Sequence, residues 1–354
     1  MMKRELKGIL SVLQGKRRNV VEYDWHYALG LLLLNRVGVS FYHAAHETQT
    51  LLPRQVNQIL QGLEGQQVRR NRVMAKWIAD LSYELMSAGI RFAFLKGSVL
   101  SYCPFHGQFL YRFGERSSND IDLLVSPDDL GALDRVLGTF GFVQGEWKDG
   151  KIHPFERREI VYRRMTRGET APYLVATQNE ETPFIELDVN YSLGYLPSGD
   201  AALVKDLLSD CKKYAFCNGG TIMSLTEEKF LLHLIMHQYK EATLYWMASR
   251  HKDSQLYKYL DIARMLNGDI VDLQTFGALV SRYDLQEQTA YVLYYCNQLF
   301  PSREADGLMR SLCPQRVEEW DDVTDAEHKT AYRWTKGIYE RVGVYDKTRY
   351  LKRL

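Results

Sequence analysis

The chain has 354 residues, with 45 Lys and Arg against 44 Asp and Glu, a net charge of +1. Bulk electrostatics therefore announces neither a nucleic-acid nor a membrane partner, and any polyanion site must be a local patch. Apolar residues make up 45% and aromatic residues 12% of the chain, enough for sizeable cores, and the length suits two domains or one with large additions.

The N-terminal stretch MMKRELKGILSVLQGKRR is too interrupted for a secretory signal. The densest apolar run, Tyr27 to Leu34, is eight residues long, far below the roughly 20 a membrane span needs. Cys103, Cys211, Cys217, Cys296 and Cys313 form no Cys-x-x-Cys pair. An odd, widely spaced set argues against a disulfide framework and for a reducing, cytoplasmic setting.

Residues 1–90 read as helical. Ile9, Val12 and Leu13 recur at helical spacing, and Val73, Trp77, Leu81 and Leu85 form an amphipathic stripe that Gly89 ends. The basic run Gln66 to Arg72 reads first as a solvated helix face, and second as a contact for a phosphate-rich substrate.

Residues 91–220 read as a mixed α/β core. A strand at Phe92–Leu95 runs into Lys96-Gly97-Ser98 and a short helix, and a second strand covers Ile121–Val125. Ser126 and Pro127 open a helix that carries Leu130, Leu133, Val136 and Leu137 and stops near Gly141. Ile160–Met165, Tyr173–Thr177 and Phe184–Tyr191 read as further strands, antiparallel continuations of the sheet. Arg157, Arg158, Arg163, Arg164 and Arg167 would form a solvated strand edge or a basic rim for RNA or an acidic substrate.

The chemistry concentrates between Lys96 and Asp122. On a strand, Asp120 and Asp122 would project from one face, about 7 Å apart. At an effective dielectric near 20, two such charges repel by about 2 kcal/mol, and the flanking Ile121, Leu123, Leu124 and Val125 sharpen that cost. A divalent cation relieves it, and Mg²⁺ takes oxygen ligands while keeping positions open for phosphate. Gly97 lets an anion approach the backbone, Ser98 adds a hydroxyl and Lys96 a point charge. Downstream, Glu186, Asp188 and Asn190 share one strand face opposite Ile185, Leu187 and Val189, so Glu186 and Asp188 are both candidates for a third carboxylate.

Gly97-Ser98, then Asp120-x-Asp122 on a following strand, then an acid on a later strand, resembles the DNA polymerase β-type nucleotidyltransferase superfamily. Within it, LKGSVL from Leu95, the Gly114-x-Arg116 pair, DIDLLV from Asp120, and Gly141-Phe142 are similar to a bacterial nucleotidyltransferase family, some members of which are encoded beside peptide natural-product genes. The resemblance covers about half of the chain, from Ile90 to Met265. It implies two Mg²⁺ ions held by Asp120, Asp122 and a third carboxylate, an NTP as substrate, and phosphate contacts from Lys96 and Arg116, with Arg112 weaker. It favours Asp188 over Glu186, and it places Asn190 where the family tends to carry histidine, which removes an acid/base group there. It also implies a pocket role for His237.

His233 and His237 stand one helical turn apart but lack a third ligand in range, so zinc is disfavoured. The pair His43 and His46 carries still less weight. Residues 221–354 read as helical, opening near Ser224 or Thr226, with a basic tail from Arg341 to Leu354 as a docked helix or arm.

The expected architecture is α+β: a small mixed β-sheet nucleotidyltransferase core at 91–220, flanked by N-terminal (1–90) and C-terminal (221–354) helical regions. The expected activity is Mg-dependent transfer of an NMP to a hydroxyl or similar nucleophile of a small-molecule or peptide acceptor. Transfer to tRNA or protein, and an inactive binding module, are the alternatives.

Overall fold

The computed structural model describes residues 3–197, 201–312, 314, 320–325 and 328–354. The chain forms two units, Gln66–Phe230 and Met1–Gly65 with Leu231–Leu354.

Gln66–Phe230 is built on one mixed sheet of eight strands: β1 (Phe92–Leu95), β2 (Ile121–Val125), β3 (Val143–Lys148), β4 (Lys151–Pro154), β5 (Tyr173–Asn179), β6 (Thr182–Asn190), β7 (Lys212–Ala215) and β8 (Thr221–Ser224). Their order is β4-β3-β5-β6-β2-β1-β8-β7. The sheet is mixed, as expected, and larger than expected. At its centre β2 runs antiparallel to β1 and parallel to β6. Every residue of β1 and β2 is buried, which is why both read as unbroken apolar runs interrupted only by Asp122. In β6 the alternation follows the pleat: Ile185, Leu187 and Val189 are fully buried while Glu186 and Asp188 are half-buried.

Helix Arg54–Ser87 begins in one unit and ends in the other. In its second half Met74, Ile78, Leu81 and Leu85 are buried, and Trp77 sets its ring against Phe142 at 5.6 Å. The basic run lies on this helix. There Arg69 pairs with Glu181 and Arg70 donates from Nη2 to the Asn119 carbonyl at 3.0 Å.

Two sequence expectations are corrected. Ile160–Met165 is no strand: Arg157–Thr166 is an α-helix. The β-branched pair Ile160-Val161 suggests a strand, but Glu159 and Arg163 pair at i,i+4, 2.7 Å apart, and Tyr191 donates its hydroxyl to the Arg164 and Arg167 carbonyls, fixing the helix end. The arginine cluster therefore sits on a helix, not a sheet edge. The C-terminal region is likewise not all helical. Strands β9 (Asp322–Asp325), β10 (Thr330–Trp334) and β11 (Leu351–Arg353) form a second sheet, β11-β10-β9. The basic tail thus ends as an edge strand on β10, with Val323 and Trp334 packed around Ala248.

In the second unit the two ends of the chain interlock. Asn35 donates from Nδ2 to the Val342 carbonyl at 3.0 Å and accepts at Oδ1 from the Leu256 amide at 3.1 Å, and Tyr27 donates to the Gly343 carbonyl at 2.7 Å. The unit boundaries therefore differ from the 1–90, 91–220, 221–354 division. They fall inside helices Arg54–Ser87 and Glu227–Ala242, where composition gives no signal. Among the described residues no helix is long and apolar enough to cross a membrane, and Cys103, Cys211, Cys217 and Cys296 are free thiols.

Candidate active site

Parallel pairing of β2 with β6 sets Asp122 directly beside Asp188. Asp120 lies in the bend that enters β2. One carboxylate oxygen from each of Asp120, Asp122 and Asp188 falls within 4.8 Å of the others, with Asp122 buried and the other two half-buried. Asp120 and Asp122 were expected on one strand face; here they converge because the chain bends at Asp120.

Crowding shows in the protonation. Burial pushes the Asp122 carboxyl up to about 6, and the Asp120 charge adds to this, against the lowering pull of Lys96 and Arg116. Burial likewise lifts Asp188 well above the usual carboxylate range, reinforced by Asp120, Asp122, Glu186 and Glu169. Hard oxygen donors this close, with Asp122 and Asp188 disfavoured as anions by burial and acidic neighbours, suit a divalent cation such as Mg²⁺.

The Lys96-Gly97-Ser98 corner faces these acids. Lys96 sits at φ 47, ψ −124, a conformation that costs a non-glycine residue about 1–3 kcal/mol. From it, Lys96 Nζ reaches Asp122 Oδ1 at 2.7 Å. Ser98 is buried, and its Oγ accepts from the Asp122 amide at 3.2 Å. Gly97 opens a single turn, Gly97–Leu100. A β-carbon there would strike Ser118 and the Arg116 guanidinium.

Arg116 is itself buried, 5% exposed. It follows Gly114, which has φ 86 and a Cα against which Val68 packs so tightly that a β-carbon would fall 2.5 Å from Val68 Cγ2. Ser118 Oγ donates to the Asp120 carbonyl at 3.0 Å and lies 3.3 Å from Asp120 Oδ1.

The description of a family of uncharacterised nucleotidyltransferases matches residues 22–301. The chain belongs to this family. One solved structure similar to this member is an antigenic nucleotidyltransferase-like protein from Paracoccidioides brasiliensis, 18% identical over 60% of this chain and 90% of that one, with a TM-score of 0.32. No curated protein matches.

The other candidate residues of this nucleotidyltransferase-family chain divide between its units. Glu186 stands two residues before Asp188 on β6 and lies outside the three-aspartate group, though its charge reaches Asp188. Asn190 is buried and directs Nδ2 to the Leu123 carbonyl at 3.5 Å, a bond across the strand pair. Arg112 is exposed, and its amide donates to Glu115 Oε2 at 3.0 Å.

His237 belongs to the other unit. There its Nε2 lies 3.1 Å from Glu241 Oε2, Glu241 also pairs with Lys258, and the His233 ring stacks 6.2 Å away. Among the described residues the three aspartates are the only His, Cys or acid cluster with metal-site spacing. Sequence reasoning missed Glu169. It bridges Asn190 in antiparallel fashion and adds negative charge at Asp188; its segment, Gly168-Glu169-Thr170, is too short to read as a strand.

Proposed function

We propose that the chain is a divalent-cation-dependent nucleotidyltransferase that moves an NMP from an NTP to a hydroxyl or similar nucleophile of a small-molecule or peptide acceptor. The observation that carries this reading is the convergence of Asp120, Asp122 and Asp188 within 4.8 Å, on the central strands of a chain belonging to a nucleotidyltransferase family.

Asp120, Asp122 and Asp188 would hold two Mg²⁺ ions, which when bound draw charge from the triphosphate and favour in-line displacement. Asp188, half-buried in the acid group, accepts the proton of the acceptor hydroxyl. That oxygen forms the bond to the α-phosphorus, the bond from this phosphorus to the bridging oxygen breaks, and pyrophosphate leaves with the electron pair. Lys96 and Arg116 supply positive charge beside Asp122 and orient the acids and the phosphates. Glu169 and Glu186 keep the field at Asp188 negative, which favours the proton's arrival. Residues of β6 are the proposed acceptor wall.

Incubating the protein with each α-labelled NTP, Mg²⁺ and a cell extract tests the proposal. It expects label in a small acceptor, dependent on the cation. Label retained by an Asp120→Asn/Asp122→Asn variant would overturn it. A second reading, an RNA-borne acceptor, is favoured by exposed Arg157 and Arg158 at the start of helix Arg157–Thr166. It expects label in RNA and binding that falls steeply with salt.

A further inference from the structure

In the Lys96-Gly97-Ser98 corner, the groups that suit an anion cradle make contacts inside the protein. Ser98 Oγ accepts the Asp122 amide, and Lys96 Nζ lies on Asp122 Oδ1. Gly97 is buried, and a β-carbon on it would fall 2.5 Å from Ser118 Oγ and 2.7 Å from Ser118 Cβ. The buried Arg116 guanidinium also fills this space, 2.3 Å from that position, but it ends a longer side chain and can give more than Ser118 can. Ser118 Cβ is one bond from the backbone and cannot yield unless the chain shifts. Ser118 also holds Asp120, through the carbonyl at 3.0 Å and Oδ1 at 3.3 Å. A side chain at position 97 therefore displaces the Asp120 carboxylate without touching it.

We infer that Gly97 is a positioning residue: it leaves room for Ser118, and Ser118 sets Asp120 against Asp122 and Asp188. The missing side chain serves an internal contact on the acid side of the site. This rests on the reading that the three aspartates bind divalent cations.

The test compares Gly97→Ala, Ser118→Gly and the double variant in the full chain. Mn²⁺ affinity is read by electron paramagnetic resonance and melting temperature by calorimetry. Gly97→Ala weakens Mn²⁺ about tenfold, as does Ser118→Gly, on the scale of lost outer-sphere support. In the Ser118→Gly background, Gly97→Ala costs clearly less than in the wild type, because the collision with Ser118 Cβ and Oγ is gone and only that with Arg116 remains. An equal loss from Gly97→Ala in both backgrounds overturns the inference. If Gly97→Ala fails to fold, recovery of folded protein in the double variant supports it, and continued failure overturns it. If the wild type takes up no Mn²⁺, the functional reading fails separately. The melting temperatures still test the steric premise: Ser118→Gly either reduces the loss caused by Gly97→Ala or does not.

Discussion

Lys96 Nζ lies 2.7 Å from Asp122 Oδ1, with the carboxylate side chain 3% and the ammonium side chain 16% exposed. The pair places a positive charge among three acids, and the left-handed backbone at Lys96 is what lets a side chain at the end of β1 turn toward β2. Replacing Lys96 by Met leaves a buried carboxylate without its partner, at a cost of about 2–4 kcal/mol near pH 8. The cost shrinks near pH 5, where Asp122 takes a proton. Urea unfolding at both pH values checks this; a pH-independent cost would contradict it.

Asp122 carries a second prediction. Its folded pKa is raised from the usual 3.8 to about 6, so the folded chain binds this proton more tightly than the unfolded chain. The contribution is full below about pH 4 and is lost as pH rises through about 6, amounting to about 3 kcal/mol for a shift of this size. Asp188, raised in the same direction, adds to the effect. A divalent cation replaces the proton, so the rise in melting temperature on adding Mg²⁺ is larger near pH 8 than near pH 5. Calorimetry across that range with and without Mg²⁺ reads the difference directly.

Substitution tells apart the proposed roles of Asp188 and Glu186. Asp188→Asn should lower label transfer by at least about 10²-fold. It should not lower the melting temperature, because it removes a carboxyl that its neighbours disfavour as an anion. Glu186→Gln and Glu169→Gln remove charge from outside the three-aspartate group, and each should lower transfer less than about tenfold. Steady-state rates with saturating NTP distinguish the three. A larger loss at Glu186 than at Asp188 would reverse the assignment.

A stability prediction concerns the other unit. Lys347 Nζ lies 2.7 Å from Asp253 Oδ1, and the two side chains are 3% and 1% exposed. Lys347→Met alone or Asp253→Leu alone should cost about 3–5 kcal/mol, since each strands a buried charge, and the double variant should cost less than their sum. Denaturant midpoints of the three variants test this.

Legibility in the sequence followed physical locality. The aspartates could be found because a strand's period of two and an apolar surround make Asp120, Asp122 and Asp188 conspicuous. Their convergence could not, because it depends on β2 pairing with β6 in parallel register across 60-odd residues of intervening chain. Glu186 and Asp188 share a face in any strand, so only the pairing separates them. The helix at Arg157–Thr166 gives no helical signal in the sequence because its apolar pieces are short and its helical state rests on an ion pair and on the Tyr191 hydroxyl. Gly97 was legible as a needed glycine, but the atoms it admits come from Arg116 and Ser118, about twenty positions away. Neither β11 nor the joining of the chain's two ends has a local signal: both rest on pairings such as Trp334 with Leu351 and Asn35 with Leu256.

The most direct test of the central claim is calorimetric titration of a non-hydrolysable NTP with Mg²⁺ into the wild type and into the Asp120→Asn/Asp122→Asn variant. The account predicts saturable, Mg²⁺-dependent binding to the wild type and loss of that binding in a variant that still melts cooperatively. Equal binding by both proteins, or none by the wild type, would contradict it.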